Sequence, residues 1–155
     1  MKTIKFFYDK ITMDLNVPED TPVLTSRVDE LASDKDGLAI VREAMEQPIG
    51  SPKLSELSAG KPDCVIIISD HTRPVPSPDI LPNMIRELRE GNPDIDITLL
   101  VATGFHRATS VDELKAKLGD ELYEEFKDRI IVHDAHDPSQ NIKVGVLPSG
   151  PDCIL

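Results

Sequence analysis

The sequence predicts an α/β protein, a mostly parallel sheet with helices on both faces, preceded by an N-terminal β-hairpin. Three observations carry that expectation. Strand-like apolar runs alternate with amphipathic helical stretches through short connections, the pattern of βαβ units. The stretch Asp63 to Ser69 is apolar at consecutive rather than alternate positions, as in a parallel strand covered on both faces. Near the start, the β-rich runs Ile4 to Tyr8 and Ile11 to Leu15 are separated only by Asp9-Lys10, a hairpin spacing.

After the hairpin, the period turns helical at Gly37. Leu38, Val41 and Met45 share a face, Ala39 and Ala44 fill it, and Pro48-Ile49-Gly50-Ser51-Pro52 stops it. A shorter helix runs from Pro52 to Leu57 and closes at Gly60. The strand from Asp63 to Ser69 follows. Ser77 or Asp79 can cap the next helix, on which Ile80, Met84, Ile85 and Leu88 share a face before Gly91 ends it. Pro78 and Pro82 fall in or near its first turn, where a missing N–H costs least. A strand from Ile95 to Ala102 comes next, and then Ser110-Val111-Asp112-Glu113, a capping box that opens a helix carrying Leu114 and Leu118. A helix from Asp120 to Lys127 leads into the strand Arg129 to Val132. The last extended run, Ile142 to Leu147, meets Pro148-Ser149-Gly150, and the tail to Leu155 reads as the start of another strand. With right-handed crossovers this is a Rossmann-like layout, one α/β domain over residues 1–155 and part of a longer chain.

Composition narrows the classes of function. A 155-residue chain with 39% apolar content supports one ordinary core, and 29% charged residues is usual for a globular domain. The formal charge of −11 repels a polyphosphate backbone, so nucleic acid is not expected as a partner. The opening MKTIKFFYDK has no sustained apolar segment, and no run approaches the roughly 18 apolar residues of a membrane span, which points to a cytoplasmic protein with no membrane partner. Cys64 and Cys153 have neither metal-ligand spacing nor the density of a disulfide scaffold, and are expected to be reduced.

All four histidines, His71, His106, His133 and His136, lie within a few residues of a strand's carboxyl end, the edge where open α/β sheets bind ligands. Asp70-His71-Thr72-Arg73 joins a strand tip to a helix. Its backbone N–H groups, the Thr72 hydroxyl and the Arg73 fork suit an anion, and Asp70 can accept from a ribose hydroxyl or an imidazole N–H. Pro74 and Pro76 stiffen the loop. The bland alternative is an Asp70–Arg73 ion pair with Thr72 satisfying a turn. Gly104 lets the backbone pass close to a ligand, and His106 can exchange a proton near neutral pH as a general acid or base, or merely hydrogen-bond within a loop. His133 and His136, three apart, could join His106 around zinc, although strand-end residues lack the helical alignment of an H-E-x-x-H site and an ion-paired loop explains them as well.

Ser69-Asp70-His71-Thr72-Arg73-Pro74-Val75-Pro76 and Ala102-Thr103-Gly104-Phe105-His106-Arg107 together resemble two linked motifs of the lactate racemase family, the nickel-pincer-nucleotide enzymes. Leu118-Gly119 and His133-Asp134 also look like landmarks of that family, and the similarity runs over most of the chain. The resemblance implies a nicotinate-derived mononucleotide cofactor, nickel pyridinium-3,5-bisthiocarboxylic acid mononucleotide, touched by Asp70, His71, Thr72 and Arg73. It also implies that His106 is one of two proton-exchanging histidines acting on a 2-hydroxy acid while a hydride moves from its α-carbon and back. The family's second catalytic histidine, tethering lysine, nickel-ligating histidine and substrate-carboxylate residues have no counterparts before Leu155, so the chain is expected to be the cofactor-binding portion of a racemase or epimerase, to hold no metal ligand itself, and to be inactive without the remainder of its own chain. His71 and Phe105 stand at variable positions of the motifs and point toward a substrate other than lactate. A non-catalytic phosphate- or nucleotide-binding module and a zinc-dependent hydrolase remain as alternatives.

Overall fold

The computed structural model describes residues 1–31 and 33–154, which form two compact units, Met1–Asp34 and Lys35–Leu155. In the first unit, β1 (Lys2–Tyr8) and β2 (Ile11–Val17) pair antiparallel from Lys2↔Val17 to Tyr8↔Ile11. The connecting Asp9-Lys10 makes so tight a turn that Asp9 takes φ 53°, a left-handed conformation which aspartate tolerates better than bulkier residues. That tolerance is how the hairpin closes without glycine.

In the second unit, α1 (Gly37–Glu46) starts at Asp36, whose carboxylate accepts from the Ala39 N–H at 2.7 Å. The short α2 (Leu54–Ser58) crosses the end of α3 (Ser77–Gly91), and a Cβ on Gly91 would overlap the Ser55 carbonyl, so only glycine fits there. Ser77 and Asp79 lie within α3; its cap position is Pro76, with no side-chain cap bond. Asn83, buried in α3, donates to the Leu38 carbonyl at 3.0 Å and so ties α1 to α3.

The sheet consists of β3 (Asp63–Ser69), β4 (Asp96–Ala102) and β5 (Ile130–Val132), parallel and in that spatial order, with α4 (Val111–Leu118) and α5 (Asp120–Phe126) between the last two. Right-handed crossovers in a sequential order put the connecting helices on one face. Burial follows that rule. Ile66, Ile68, Ile97, Leu99 and Val101 pack beneath Leu81, Ile85 and Leu88 of α3, Leu114 and Leu118 of α4, and Phe126 of α5. The consecutive apolar residues of β3 therefore divide, for Val65 and Ile67, like Ile131 of β5, lie on the opposite, exposed face. Past the sheet, β6 (Lys143–Val146) pairs antiparallel with β7 (Asp152–Ile154), so the tail run folds back on its predecessor through Pro148-Ser149-Gly150. Both cysteines are free, and among the described residues no helix is long and apolar enough to cross a membrane.

Leu99→Ala, at a side chain 0% exposed, is expected to destabilise this unit by roughly 2–5 kcal/mol, and Ile67→Ser on the open face by less than about 0.5 kcal/mol. Urea unfolding of the two variants measures the contrast, and equal losses would contradict the assignment of the core face.

Candidate functional site

The β3–β4 register aligns Ser69 with Ala102, so Asp70 and Thr103 leave the sheet side by side and the two loops rise from one edge. Each loop is shaped by its own first residue. Asp70 Oδ1 accepts from the Thr72 N–H at 3.1 Å and from the Thr72 hydroxyl at 2.7 Å, while Arg73 N–H donates to the Asp70 carbonyl at 3.3 Å. These bonds make a tight Asx turn. On the second loop, Thr103 is buried and its hydroxyl donates to the His133 carbonyl at 2.5 Å; the His106 N–H donates to the Thr103 carbonyl at 3.1 Å. Between them Gly104 sits at φ 56°, where a side chain is disfavoured, and this turn brings the imidazole back over the first loop.

There His106 Nδ1 meets Asp70 Oδ2 at 2.5 Å. The carboxylate is 2% exposed, whereas the His106 side chain is 45% exposed, so the pair runs from the sheet edge toward open space. Burial pushes the Asp70 carboxyl up, but the Thr72 hydroxyl, the His106 ring and the Thr72 N–H outweigh it and hold the group at about 2. An ionised carboxylate accepts and cannot donate, so a neutral His106 keeps its proton on Nδ1 and leaves Nε2 bare. Among the described residues Nε2 has no partner. Chemically this is a buried acid orienting a base, and the pair lines a cleft of about 630 Å³ together with Ser69, Arg73, Gly104 and Phe105.

Arg73 does not pair with Asp70. Its guanidinium has no carboxylate partner among the described residues, and Arg73 lines both this cleft and a second one of about 340 Å³. His71 turns toward that second cleft. Its Nδ1 lies 3.2 Å from the Thr109 hydroxyl and its Nε2 3.8 Å from Glu113 Oε1. Of the four residues that the family resemblance gives to the cofactor, Asp70 and Arg73 line the cleft beside His106, the Thr72 hydroxyl is engaged by Asp70, and His71 faces α4. Two further side chains, Thr109 and Glu113, complete the arrangement; in the sequence Glu113 was legible only as half of a capping box.

His133 and His136 separate. His133 Nε2 lies 3.3 Å from Asn141 Oδ1, and the His136 ring stands edge-on to Phe105 with centroids 5.5 Å apart. Among the described residues no group of three His, Cys, Asp or Glu side chains is disposed to hold a metal ion, which removes the basis for a zinc site at His106, His133 and His136.

With the geometry established, comparison with known proteins decides the family. Residues 8–155 match the lactate racemase N-terminal domain. The chain belongs to this family. It is similar to the lactate racemase of Lactiplantibacillus plantarum, 42% identical over 158 residues that cover 100% of this chain and 37% of that protein. It is also similar to the lactate racemase of Thermoanaerobacterium thermosaccharolyticum, 38% identical over 152 residues covering 97% and 35%. Its structure matches the lactate racemase apoprotein from T. thermosaccharolyticum with a TM-score of 0.84 at 36% identity, over 99% of this chain and 35% of the other. A Thermotoga maritima protein at 22% identity, with a TM-score of 0.54, shares the fold alone. The chain thus spans 37% and 35% of the length of the two lactate racemases it resembles in sequence.

The depressed Asp70 carboxyl makes an acid-limb prediction. Its folded value of about 2 lies below the roughly 3.9 of an unfolded aspartate, so its contribution to stability is complete above about pH 4 and is lost as pH falls toward 2. Wild type is therefore expected to lose stability more steeply than Asp70→Asn between pH 4 and 2, narrowing the gap in denaturant midpoint between them. Parallel pH profiles would show that the bonds to Thr72 and His106 do not form.

Proposed function

We propose that this chain is the cofactor-binding, proton-handling N-terminal portion of a nickel-pincer-nucleotide-dependent 2-hydroxy-acid racemase or epimerase, completed by the remainder of its own chain. The observation that carries the reading is the Asp70–His106 pair, with Nε2 bare and an unneutralised Arg73 in the same cleft, in a member of the lactate racemase N-terminal family.

The residues present fit such a cofactor. A phosphorylated mononucleotide needs cations, and in a chain of net charge −11 Arg73 lines the cleft without being taken up in an ion pair among the described residues. Asp70, Thr72 and Arg73 form a loop that ends in Pro74 and Pro76, and its fixed shape lowers the cost of ordering on binding. When bound, the cofactor supplies the acceptor for the hydride that leaves the substrate's α-carbon.

This chain's part is the proton. His106 Nε2 takes the proton of the 2-hydroxyl as the C–H bond electrons depart with the hydride, which leaves a 2-keto acid. Asp70 stabilises the imidazolium that results and fixes the ring so that the same nitrogen gives up a proton when the reaction runs from the opposite enantiomer. A planar keto acid can be reduced from either face, which inverts the centre when the hydride returns to the opposite side. Proton transfer on that side requires a second acid–base group, which this reading assigns to the longer protein, so the 155 residues alone are expected to turn nothing over. The free Cys64 and Cys153 suit a reducing, cytoplasmic compartment.

The test is His106→Ala in the full-length, cofactor-loaded protein, assayed for interconversion of D- and L-lactate and of other 2-hydroxy acids. Turnover is expected to fall about 10²–10⁴-fold while nickel and cofactor content persist. Undiminished function in the variant would favour a module that binds a phosphorylated ligand without chemistry. Absence of both nickel and isomerisation from the intact wild type would overturn the reading altogether.

A further inference from the structure

Within its own two loops the Asp70–His106 pair is held by the Thr72 bonds to Asp70 and by the His106 N–H on the Thr103 carbonyl, and the second loop passes through Gly104 in the left-handed region, so contacts from outside the two loops bear on where the imidazole stands. The bonds behind the pair converge on one carboxylate. Glu113 lies in the first turn of α4, a helix anchored in the core by Leu114 and Leu118. Its Oε2 accepts from the Ser110 N–H at 2.9 Å and from Arg107 Nη1 at 2.8 Å, and its Oε1 accepts from Arg107 Nη2 at 2.6 Å. Arg107 is the chain neighbour of His106, and its Nη1 also donates to the Ala108 carbonyl at 3.0 Å. Glu113 Oε1 lies 3.8 Å from Nε2 of His71, the chain neighbour of Asp70, and His71 Nδ1 is 3.2 Å from the hydroxyl of buried Thr109.

We propose that Glu113 is the positioning residue of this site, gripping the neighbour of His106 through Arg107 and facing the neighbour of Asp70 through His71, so that one carboxylate on the rigid α4 sets both halves of the pair. A capping box needs only the Ser110 contacts; the two-pronged grip on Arg107 lies beyond what capping requires. The Arg107 guanidinium first, and the Ser110 N–H second, hold the Glu113 carboxyl well below the usual carboxylate range, so the grip persists wherever the protein is folded at ordinary pH. His71 thereby belongs to the support behind the pair rather than to the cleft in front of it. Geometry of this kind matters because a displacement of about 1 Å at a reacting group can cost on the order of 10² in rate.

The proposal rests on the functional reading of His106, and the experiment separates the two. Long-range ¹H–¹⁵N correlation spectra of this chain, recorded where His106 is neutral, report which ring nitrogen carries the proton. Wild type is expected to show His106 protonated at Nδ1 alone. Its absence there would overturn the reading of the pair and this proposal together. With the wild-type signature in hand, Glu113→Gln and Arg107→Ala are each expected to lose it and relax to the tautomer mixture of a free imidazole, with β3 and β4 amide resonances unmoved. Arg107→Ala keeps the Ser110–Glu113 cap intact, so it answers the question even where Glu113→Gln unfolds. Retention of the pure Nδ1-protonated form in either folded variant would overturn the role of Glu113, and a lowered melting temperature alone would count as a structural role only.

Discussion

A buried carboxylate cannot stay ionised beneath a loop unless its lone pairs are filled, and the way Asp70 fills them organises the whole sheet edge. Two bonds from Thr72 shape the first loop, and the third, from His106, pins the second loop to it. Remove the carboxylate and three things fail together: the Asx turn, the tether between loops and the tautomer of the imidazole. The same group therefore serves local structure, packing between loops and chemistry.

That interaction is possible only because of decisions made lower in the fold. The parallel register of β3 and β4 brings two segments 36 residues apart to the same rim, one step beyond Ser69 and Ala102. The register in turn is held by side chains buried under α3 and α4, notably Leu99 and Val101, neither of which has measurable exposure. β5 contributes through His133, the first residue after it, whose carbonyl accepts from the Thr103 hydroxyl and whose N–H donates to the Val101 carbonyl at 3.1 Å. The site is thus a consequence of strand order, and the loops add the polar atoms.

The hairpin, the bounds of β3 and the Ser110–Glu113 capping box were legible in the sequence because each is a local pattern: a two-residue gap, a continuous apolar run, a hydroxyl and a carboxylate three apart. Asp70 and His106 were legible as residue types at strand tips, and Asp70 as an acceptor for an imidazole N–H. Which imidazole was not, because the choice among four histidines depends on tertiary register. The same limit hid the turn of His71 toward Thr109, the free state of Arg73 and the folding back of β7 onto β6. An apolar run such as Val65-Ile66-Ile67 states that its side chains avoid water, but within this chain Ile66 is buried and its neighbours are exposed, and nothing local distinguishes the two.

In the proposed function, Asp70 acts through His106 on the proton of a substrate hydroxyl. The most direct measurement is kcat for Asp70→Asn in the full-length, cofactor-loaded protein, since an amide preserves the shape but can donate to Nδ1 and drive the ring proton onto Nε2. A fall in kcat of about 10²–10⁴ with KM little changed is the expected result, in line with the effect of the equivalent change on other acid–imidazole pairs. A kcat within about threefold of wild type would contradict the account.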